Sequence, residues 1–140
     1  MSTDIRAAQK AVEAFMAAGG QATNVIPTVP DIETTARRRL AMLDEEVNEW
    51  ARAVEERDLT EIADAIADII YVALGAAVEA GIDIEPVIEE VIDSNNSKID
   101  WERGQPWARH DNGKIAKDEH YRAPDIRSII LQQVTTEARL

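Results

Sequence analysis

The stretch "EIADAIADIIYVALGAAV", residues 61–78, reads as one helix that is buried along much of its surface. Fourteen of its eighteen residues are Ala, Ile, Val, Leu or Tyr, whereas Glu61, Asp64 and Asp68 interrupt its first half. Burying an ionised carboxylate costs free energy unless a positive charge lies beside it, and the stretch contains no Lys or Arg. Three carboxylates in this length also argue against a transmembrane helix. The stretch therefore predicts a core helix whose acids need a cationic partner.

Two helices are expected before this stretch. The first covers residues 4–18 and is ended by Gly19 and Gly20. The second begins at Asp31, whose side chain can cap it, and runs to about Arg57. Apolar residues spaced three and four apart along the second helix predict a single buried stripe. The stripe consists of Leu40, Leu43, Val47, Trp50 and Val54.

Turn and capping signals define the remaining helices. Asp58 or Thr60 can cap the helix that contains residues 61–78, and Gly81 ends it. The segment "IDIEPVIEEVIDSNNSKIDWERG", residues 82–104, predicts a fourth helix with a proline in its first turn. The segment "PDIRSIILQQV", residues 124–134, predicts a short last helix. Short connections between long helices favour antiparallel neighbours.

The predicted fold is therefore all-α, an antiparallel bundle of four to five helices within one domain over residues 1–140. The core is expected at about residues 31–103, and residues 104–140 read as an irregular basic C-terminal tail. The apolar faces of the second to fourth helices exceed what one copy can cover. We therefore expect a homo-oligomer, either a dimer or a tetramer.

Composition and charge narrow the possible partners. A net charge of −12 disfavours binding to a nucleic-acid polymer. The chain has no cysteine, which excludes disulfides and thiolate metal sites. The beginning "MSTDIRAAQK" lacks the basic and apolar segments of a signal peptide. We expect a cytoplasmic protein that does not contact a membrane.

The charges are unevenly distributed along the chain. Between Leu40 and Asp93 there are sixteen Asp and Glu residues against two Lys and Arg. From Ser94 to Arg127 there are seven basic and six acidic residues. An acidic block is commonly a solvated surface. The alternative is an acidic cluster that binds cations, followed by a basic segment that meets an anion.

The acids of the second and third helices fall on narrow faces. Glu45, Glu46 and Glu49 lie within about 100° of helix surface, and the three acids of the quoted stretch lie within about 60°. If the two helices form a hairpin, these faces oppose each other and the carboxylates repel. Mg²⁺ or Mn²⁺ relieves that conflict because both ions prefer oxygen ligands. Zn²⁺ is a poor candidate, since the only histidines are His110 and His120 in the tail.

A solvated helix surface remains the alternative for individual acids, in particular Glu45, Glu49 and Glu61. Asp64 and Asp68 differ because isoleucines flank them and because Asp has a poor helix propensity. Two Asp residues inside one helix need a reason, and a metal supplies it. Taken alone, the pattern predicts an acidic helical bundle with a possible metal site.

The order of motifs resembles a known family. An E-E-x-x-E on one helix, then "DAIADIIYVALGAAVEAGID", then "SNNSK", is similar to the all-α nucleoside triphosphate pyrophosphohydrolases. These include the MazG-like enzymes, the phosphoribosyl-ATP pyrophosphohydrolases and the dimeric all-α dUTPases. The resemblance extends from about Arg37 to Lys98 and continues weakly through "DNGKIAKDEHYRAPDI". It implies an all-α fold and a dimer or tetramer with sites near subunit interfaces.

The family motif, E-x-x-E followed by E-x-x-D, binds Mg²⁺ through its carboxylates. Glu46 and Glu49 match the first pair, and Asp68 matches the final Asp. The partner three residues before Asp68 is Ala65 rather than Glu, which is a departure from the motif. Asp64 can reach the same helix face and is expected to replace it. A register that takes Glu61 with Asp64 breaks the alignment with "YVALG", so Glu61 is expected to be an outer contributor.

The resemblance implies hydrolysis of a nucleoside triphosphate, (d)NTP, to the monophosphate and pyrophosphate. A family-level interpretation is cleansing of the deoxynucleotide pool. A carboxylate near the metal can accept a proton from the attacking water, and Glu45 or Glu46 is the candidate base.

Binding of the triphosphate implies further residues. Triphosphate oxygens need cationic donors, which Lys98 can supply beside Ser94 and Asn95. Residues of the tail are expected to close over the phosphates: Lys114, Lys117, Tyr121 and Arg122. The alternative for these four is a solvated tail. Gln21 and Asn24 lie in the loop where related enzymes contact the base, while Trp101 and Trp107 either stack on the base or pack the tail.

Two other functions remain open. One is a phosphoribosyl-ATP pyrophosphohydrolase, an enzyme of the same superfamily. The other is a non-catalytic helical interaction protein whose acids only bind cations or a partner, and the Ala65 departure keeps it open.

Overall fold

A computed structural model of the chain describes residues 4–138. The helices are α1 (Ile5–Ala18), α2 (Arg37–Glu55), α3 (Leu59–Ala80), α4 (Ile84–Asn96) and α5 (Ile126–Ala138), with short strands β1 (Ile99–Asp100) and β2 (Gln105–Pro106). The chain divides into two compact units. The first runs to Ile84 and resumes at Gln133, and the second comprises Glu85–Gln132. The predicted all-α fold is confirmed.

The helix ends of the first unit follow from short polar side chains and glycine. The Asp58 carboxylate accepts a hydrogen bond from the Glu61 amide at 3.1 Å and caps α3. Gly81 ends α3 with a φ of 66°, a left-handed conformation that favours glycine. A Cβ atom at Gly81 would also collide with the backbone carbonyl of Ile26. Both predicted boundaries of this helix are confirmed.

The start of the second predicted helix is wider than an ordinary helical turn. Asp31 caps it as predicted, accepting from the Thr34 amide at 2.9 Å and from the Thr34 hydroxyl at 2.8 Å. Residues Ile32–Ala36 then form a π-helical turn that leads into α2. The helix stops at Glu55, close to the predicted end.

Helices α2 and α3 form the antiparallel hairpin that the short connection predicts. Arg39 near the start of α2 meets Glu79 near the end of α3, whereas Glu49 lies beside Asp68 in the middle. Helix α1 packs on the second half of α3. The core of this contact consists of Val12, Met16, Leu74 and Val78.

The prediction that the apolar stripe of α2 is buried is wrong for the single chain. Leu40 is 58% exposed and Val47 is 48% exposed, and Trp50 and Val54 are also exposed. The reason is that the face of α2 directed at α3 carries Arg39, Glu46 and Ala53 instead. Ile66 and Ile70 of α3 are exposed as well. We use the term apolar stripe for Leu40, Leu43, Val47, Trp50 and Val54.

In the second unit, the predicted fourth helix is too long. Helix α4 ends at Asn96 rather than at residue 104, and an antiparallel pair of short strands follows it. After β1, the carboxylate of the buried Asp100 accepts from the amides of Glu102 at 3.1 Å and Arg103 at 3.3 Å, and it holds the turn that leads to β2. A side chain that bonds to the next amides favours a turn over a continued helix.

The tail is folded back onto α4 within the second unit. The Ser94 hydroxyl donates to the Arg122 carbonyl at 2.8 Å, and the Arg122 amide donates to the Ser97 hydroxyl at 2.9 Å. The Arg122 guanidinium also donates to the Glu90 carboxylate at 2.5 Å. These bonds hold the tail against α4 at Arg122.

No single helix among residues 4–138 is long and apolar enough to cross a membrane. Only α3 and α4 taken together as a bent pair reach the length and composition of a span.

Candidate active site

Three carboxylates meet where α2 faces the first half of α3. Glu46 and Glu49 are one helical turn apart on α2, and Asp68 opposes them from α3. One oxygen of each lies within 4.8 Å of the others, and all three residues are half-buried. We call this group the carboxylate cluster. The hairpin creates it, because residues of separate helices meet only when α2 and α3 are antiparallel and in this register.

The electrostatics of the cluster disfavour three free charges. Burial, a hydrogen bond with Glu49 and the charges of Glu49, Asp68 and Glu45 together raise the pKa of Glu46 to about 7. Burial and the neighbouring charges of Asp64 and Glu49 raise the pKa of Asp68. The Glu46 Oε2 atom is buried and has no hydrogen-bond partner in residues 4–138. A positive group at this point would therefore remove both the repulsion and the unpaired oxygen.

A divalent metal ion fits the donor set. Mg²⁺ binds six oxygen ligands at about 2.1 Å, so that opposite ligands are about 4.2 Å apart. The three cluster oxygens lie within 4.8 Å of one another, a range that includes the separations within such an octahedron. The ligands are oxygens only, which suits Mg²⁺ or Mn²⁺ rather than Zn²⁺.

A polar cavity of about 180 Å³ adjoins the cluster through Glu49. Asp64 and Glu61 line it from α3, and Glu56 lines it from the residue that follows α2. Arg52 of α2 lines it too, so one basic side chain lies at the edge of the acidic group. The buried Ala65 also faces this cavity and leaves space where the family motif has a Glu.

The second unit contains a separate group of cationic and aromatic side chains. The Lys98 ammonium donates to Asn95 Oδ1 at 3.0 Å, and it lies 5.7 Å from the centre of the Tyr121 ring. The Lys117 ammonium lies 4.6 Å from the same ring centre. A hydrogen bond with Ser94 and the charges of Lys117 and Lys98 lower the pKa of the Tyr121 phenol. Two ammonium groups beside one phenol form a site with a preference for anions.

The family model of phosphoribosyl-ATP pyrophosphohydrolase matches residues 12–95. The chain belongs to this family. The matched residues include α2, α3 and the whole carboxylate cluster, so the resemblance seen in the sequence is confirmed. As a member of the family, this pyrophosphohydrolase is an enzyme that hydrolyses phosphoanhydride bonds. No protein in the curated set matches the chain.

The four predicted metal ligands of this pyrophosphohydrolase do not all occupy equivalent places. Glu46, Glu49 and Asp68 form the cluster, whereas Asp64 is exposed and lines the adjoining cavity. Asp64 is close enough to form a hydrogen bond with Asp68 and to raise its pKa. The candidate base Glu45 is exposed and acts on Glu46 through its charge.

The predicted substrate residues also separate into groups. Four of them form the cationic and aromatic group of the second unit: Asn95, Lys98, Lys117 and Tyr121. Arg122 is instead paired with Glu90, and Lys114 lies on an exposed turn where its amide donates to Asn112 Oδ1 at 3.0 Å. In the first unit, Gln21 is half-buried just after α1, and its backbone amide donates to the backbone carbonyl of Met16 at 2.8 Å.

Two further side-chain arrangements concern the loop and the tail. The side-chain amide of Asn24 donates to the backbone carbonyl of Glu79 at 2.7 Å. It therefore binds to the last turn of α3. Trp107 stacks on His120, with ring centres 3.8 Å apart and planes 3° apart, and thus packs the tail.

The sequence interpretation missed the buried pair of Arg39 and Glu79. One signal was available, since Glu79 is a lone acid in an apolar run and Gly75 lies one turn before it. An acid and a glycine on the same face of a core helix are compatible with a large cationic side chain packed against them.

Proposed function

We propose that this protein is a Mg²⁺-dependent pyrophosphohydrolase of nucleoside triphosphates, with Mn²⁺ as a possible substitute. The reaction converts a (d)NTP and water into the monophosphate and pyrophosphate, and its cellular use would be removal of unwanted deoxynucleotides. The observation that carries the proposal is the half-buried carboxylate cluster with its unpaired Glu46 Oε2 atom.

Glu46, Glu49 and Asp68 would hold the metal, with Asp64 contributing from the cavity side. When bound, a divalent ion supplies charge neutralisation for the phosphates and increases the acidity of water. The chain itself would supply the proton acceptor, either Glu45 or Glu46. The water oxygen forms a bond to phosphorus, the bridging P–O bond breaks, pyrophosphate leaves, and the water proton passes to the carboxylate.

The second unit would bind the phosphates through its cationic group. Lys98 and Lys117 offer ammonium donors, while Asn95 and Tyr121 orient them. Of the other predicted substrate residues, Lys114 is exposed and available, whereas Arg122 would contribute only if it left Glu90. Gln21 remains a candidate contact for the base.

Phosphoribosyl-ATP is a second candidate substrate, favoured by the family match over residues 12–95. It contains the same triphosphate chain, so the same cluster and the same bond cleavage would serve it. The two candidate substrates differ outside the triphosphate chain, because phosphoribosyl-ATP carries an additional phosphoribosyl group that the site would have to accommodate.

The exposed apolar stripe supports a homodimer or homotetramer as the working form. Exposed contiguous apolar surface of this kind commonly marks a protein interface. A second copy that packs its own stripe against this one would give a self-complementary contact.

The experiment is pyrophosphate release from ribo- and deoxynucleoside triphosphates and from phosphoribosyl-ATP, with Mg²⁺, with Mn²⁺ and with EDTA. Asp68→Asn should abolish turnover, whereas the exposed control Glu33→Gln should retain it. Metal-dependent release from (d)NTPs alone supports the first candidate, and release from phosphoribosyl-ATP alone supports the second. Full activity of Asp68→Asn, or silence on every substrate, contradicts the proposal.

A further inference from the structure

A buried ion pair connects α2 to α3 two helical turns from the carboxylate cluster. Arg39 is 7% exposed, Glu79 is 2% exposed, and Arg39 Nε donates to Glu79 Oε1. Arg39 Nη1 donates to the Val72 carbonyl at 3.4 Å, and Nη2 contacts Met16 Sδ at 3.9 Å. From its position on α2, this guanidinium therefore touches both α1 and α3.

Net stability does not account for this pair. Two apolar side chains of similar volume are commonly as stable as a buried ion pair, because desolvating both charges is costly. Glu79 Oε2 adds to that cost, since it is buried and has no hydrogen-bond partner within residues 4–138. A role in specifying one arrangement of the helices is the better account.

The three-residue connection at 56–58 fixes one end of the contact between α2 and α3. Beyond it, the fully buried apolar side chains along the contact are small: Ala53, Ala65 and Val72. At the end away from the connection, small side chains alone specify the alignment of the two helices weakly. A shift there would separate Arg39 from Glu79, and it would also take Glu46 away from Asp68.

We propose that Arg39 and Glu79 are positioning residues for the carboxylate cluster. Their ion pair sets the register of α2 on α3, and the register sets the spacing of the metal ligands. The tolerance for displacement is small because ligands on one Mg²⁺ are at most about 4.2 Å apart, so a shift of a few ångströms along the helix would separate the oxygens of Glu46 and Asp68 beyond that limit. This inference rests on the proposed metal role of Glu46, Glu49 and Asp68.

The first test uses the double variant Arg39→Met with Glu79→Leu and measures Mn²⁺ affinity by calorimetry beside thermal unfolding. The expected result is a Tm equal to or above that of the wild type with Mn²⁺ binding about 10- to 100-fold weaker, the usual loss when a support of a metal ligand is removed. The matched control is Arg6→Met with Asp83→Asn, which removes a partly exposed ion pair of the same unit and should leave Mn²⁺ affinity unchanged.

The second test measures the register directly. The chain has no cysteine, so spin labels can be placed near the ion pair on the exposed positions Ala41→Cys of α2 and Ala73→Cys of α3. A single narrow distribution of distances between the two labels is expected in the protein that keeps the ion pair. A distribution that is broadened or displaced is expected when the pair is removed. Arg39→Lys serves as a milder variant, because it keeps the charge and loses the planar fork.

The outcomes separate the two proposals. A folded double variant with wild-type distance and wild-type Mn²⁺ affinity overturns the positioning role. If that variant does not fold, Arg39→Lys decides the question by the same two readouts. If the wild type binds no Mn²⁺, the metal site itself fails, while the label distances still test whether the pair sets the register.

Discussion

The guanidinium of Arg39 lies directly against Gly75, in the space that a side chain on α3 would otherwise fill. A Cβ atom built on Gly75 would be 2.8 Å from Arg39 Cζ and still closer to Nη1. Glycine inside a helix costs about 1 kcal/mol relative to alanine, and here the cost leaves room for the buried cation.

Gly75→Ala is therefore expected to destabilise the protein by about 1–3 kcal/mol, the typical range for overpacking, despite the gain in helix propensity. Chemical denaturation measures the change. In an Arg39→Met background the sign should reverse, and the same substitution should stabilise by up to about 1 kcal/mol. Equal effects in the two backgrounds would show that Arg39 and Gly75 are not coupled.

Glu46→Gln separates the metal role of the cluster from a structural one. Without metal, the variant should unfold at the same temperature as the wild type or higher, because one of three like charges is gone. Saturating Mg²⁺ or Mn²⁺ should stabilise the wild type by about 2.7 kcal/mol at 100 times Kd and the variant by much less. Thermal unfolding with and without metal measures both effects. Glu33→Gln is the charge-matched control and should behave as the wild type.

The ion pair of Glu90 and Arg122 predicts a pH effect on the second unit. Hydrogen bonds from the Arg122 side chain and the Asp125 amide hold the pKa of Glu90 below its usual value of 4.5. The folded state thus binds a proton less readily than the unfolded state, so the pair stabilises above pH 4.5 and this stabilisation is lost as the pH falls through the lowered pKa.

Glu90→Gln should accordingly lower the Tm at pH 7, and the difference from the wild type should shrink as the pH falls below 4.5. A Trp50→Phe background leaves Trp101 and Trp107, both in the second unit, as the fluorescent reporters. A difference in Tm that stays constant down to pH 3 would contradict this assignment.

Lys117→Ala tests the cationic group around Tyr121. A charged hydrogen bond to phosphate contributes about 1.5–3 kcal/mol, so KM for the triphosphate should increase about 10- to 100-fold with a smaller change in kcat. Steady-state kinetics at two ionic strengths measure KM for the wild type and the variant. The increase in KM caused by the substitution should be smaller at high salt, because salt screens the lysine charge. Lys10→Ala, an exposed lysine of α1, is the control. An unchanged KM for Lys117→Ala would remove this residue from the substrate site.

Trp50→Glu tests the apolar stripe. A charge in the middle of a self-complementary apolar contact is buried without a partner, so sedimentation should detect dissociation to monomers at concentrations where the wild type is associated. Val29→Glu places the same charge on a highly exposed residue outside the stripe and should leave association unchanged. A monomeric wild type would refute the proposed oligomer.

Local signals in the sequence predicted the helices well. Asp31, Asp58 and Gly81 each act within a few residues of the boundary that they define, so their effect can be read from the chain alone. The fourth helix was overestimated because its apolar period continues past Asn96, while the pairing of β1 with β2 that replaces the helix is not visible in that period.

The carboxylate cluster could be predicted because helical periodicity and a short turn determine which faces of α2 and α3 oppose each other. The pairing of Arg39 with Glu79 was harder to predict, since the two residues are 40 positions apart and the only signal, Gly75 one turn before Glu79, does not identify the partner. The α2 stripe has the period of a buried face, but the period does not say whether the same chain or another copy covers it.

Helix α2 carries the carboxylates and the apolar stripe on neighbouring faces. On the helix surface, Glu49 lies about 140° from the centre of the stripe, whereas Glu46 lies about 80° from it and about 40° from Trp50. Substitutions at Leu40 can therefore redesign the association surface with little effect on the chemistry, while substitutions at Trp50 act next to a cluster residue. For an enzyme engineer, the same 19 residues of α2 offer two properties that meet at Trp50.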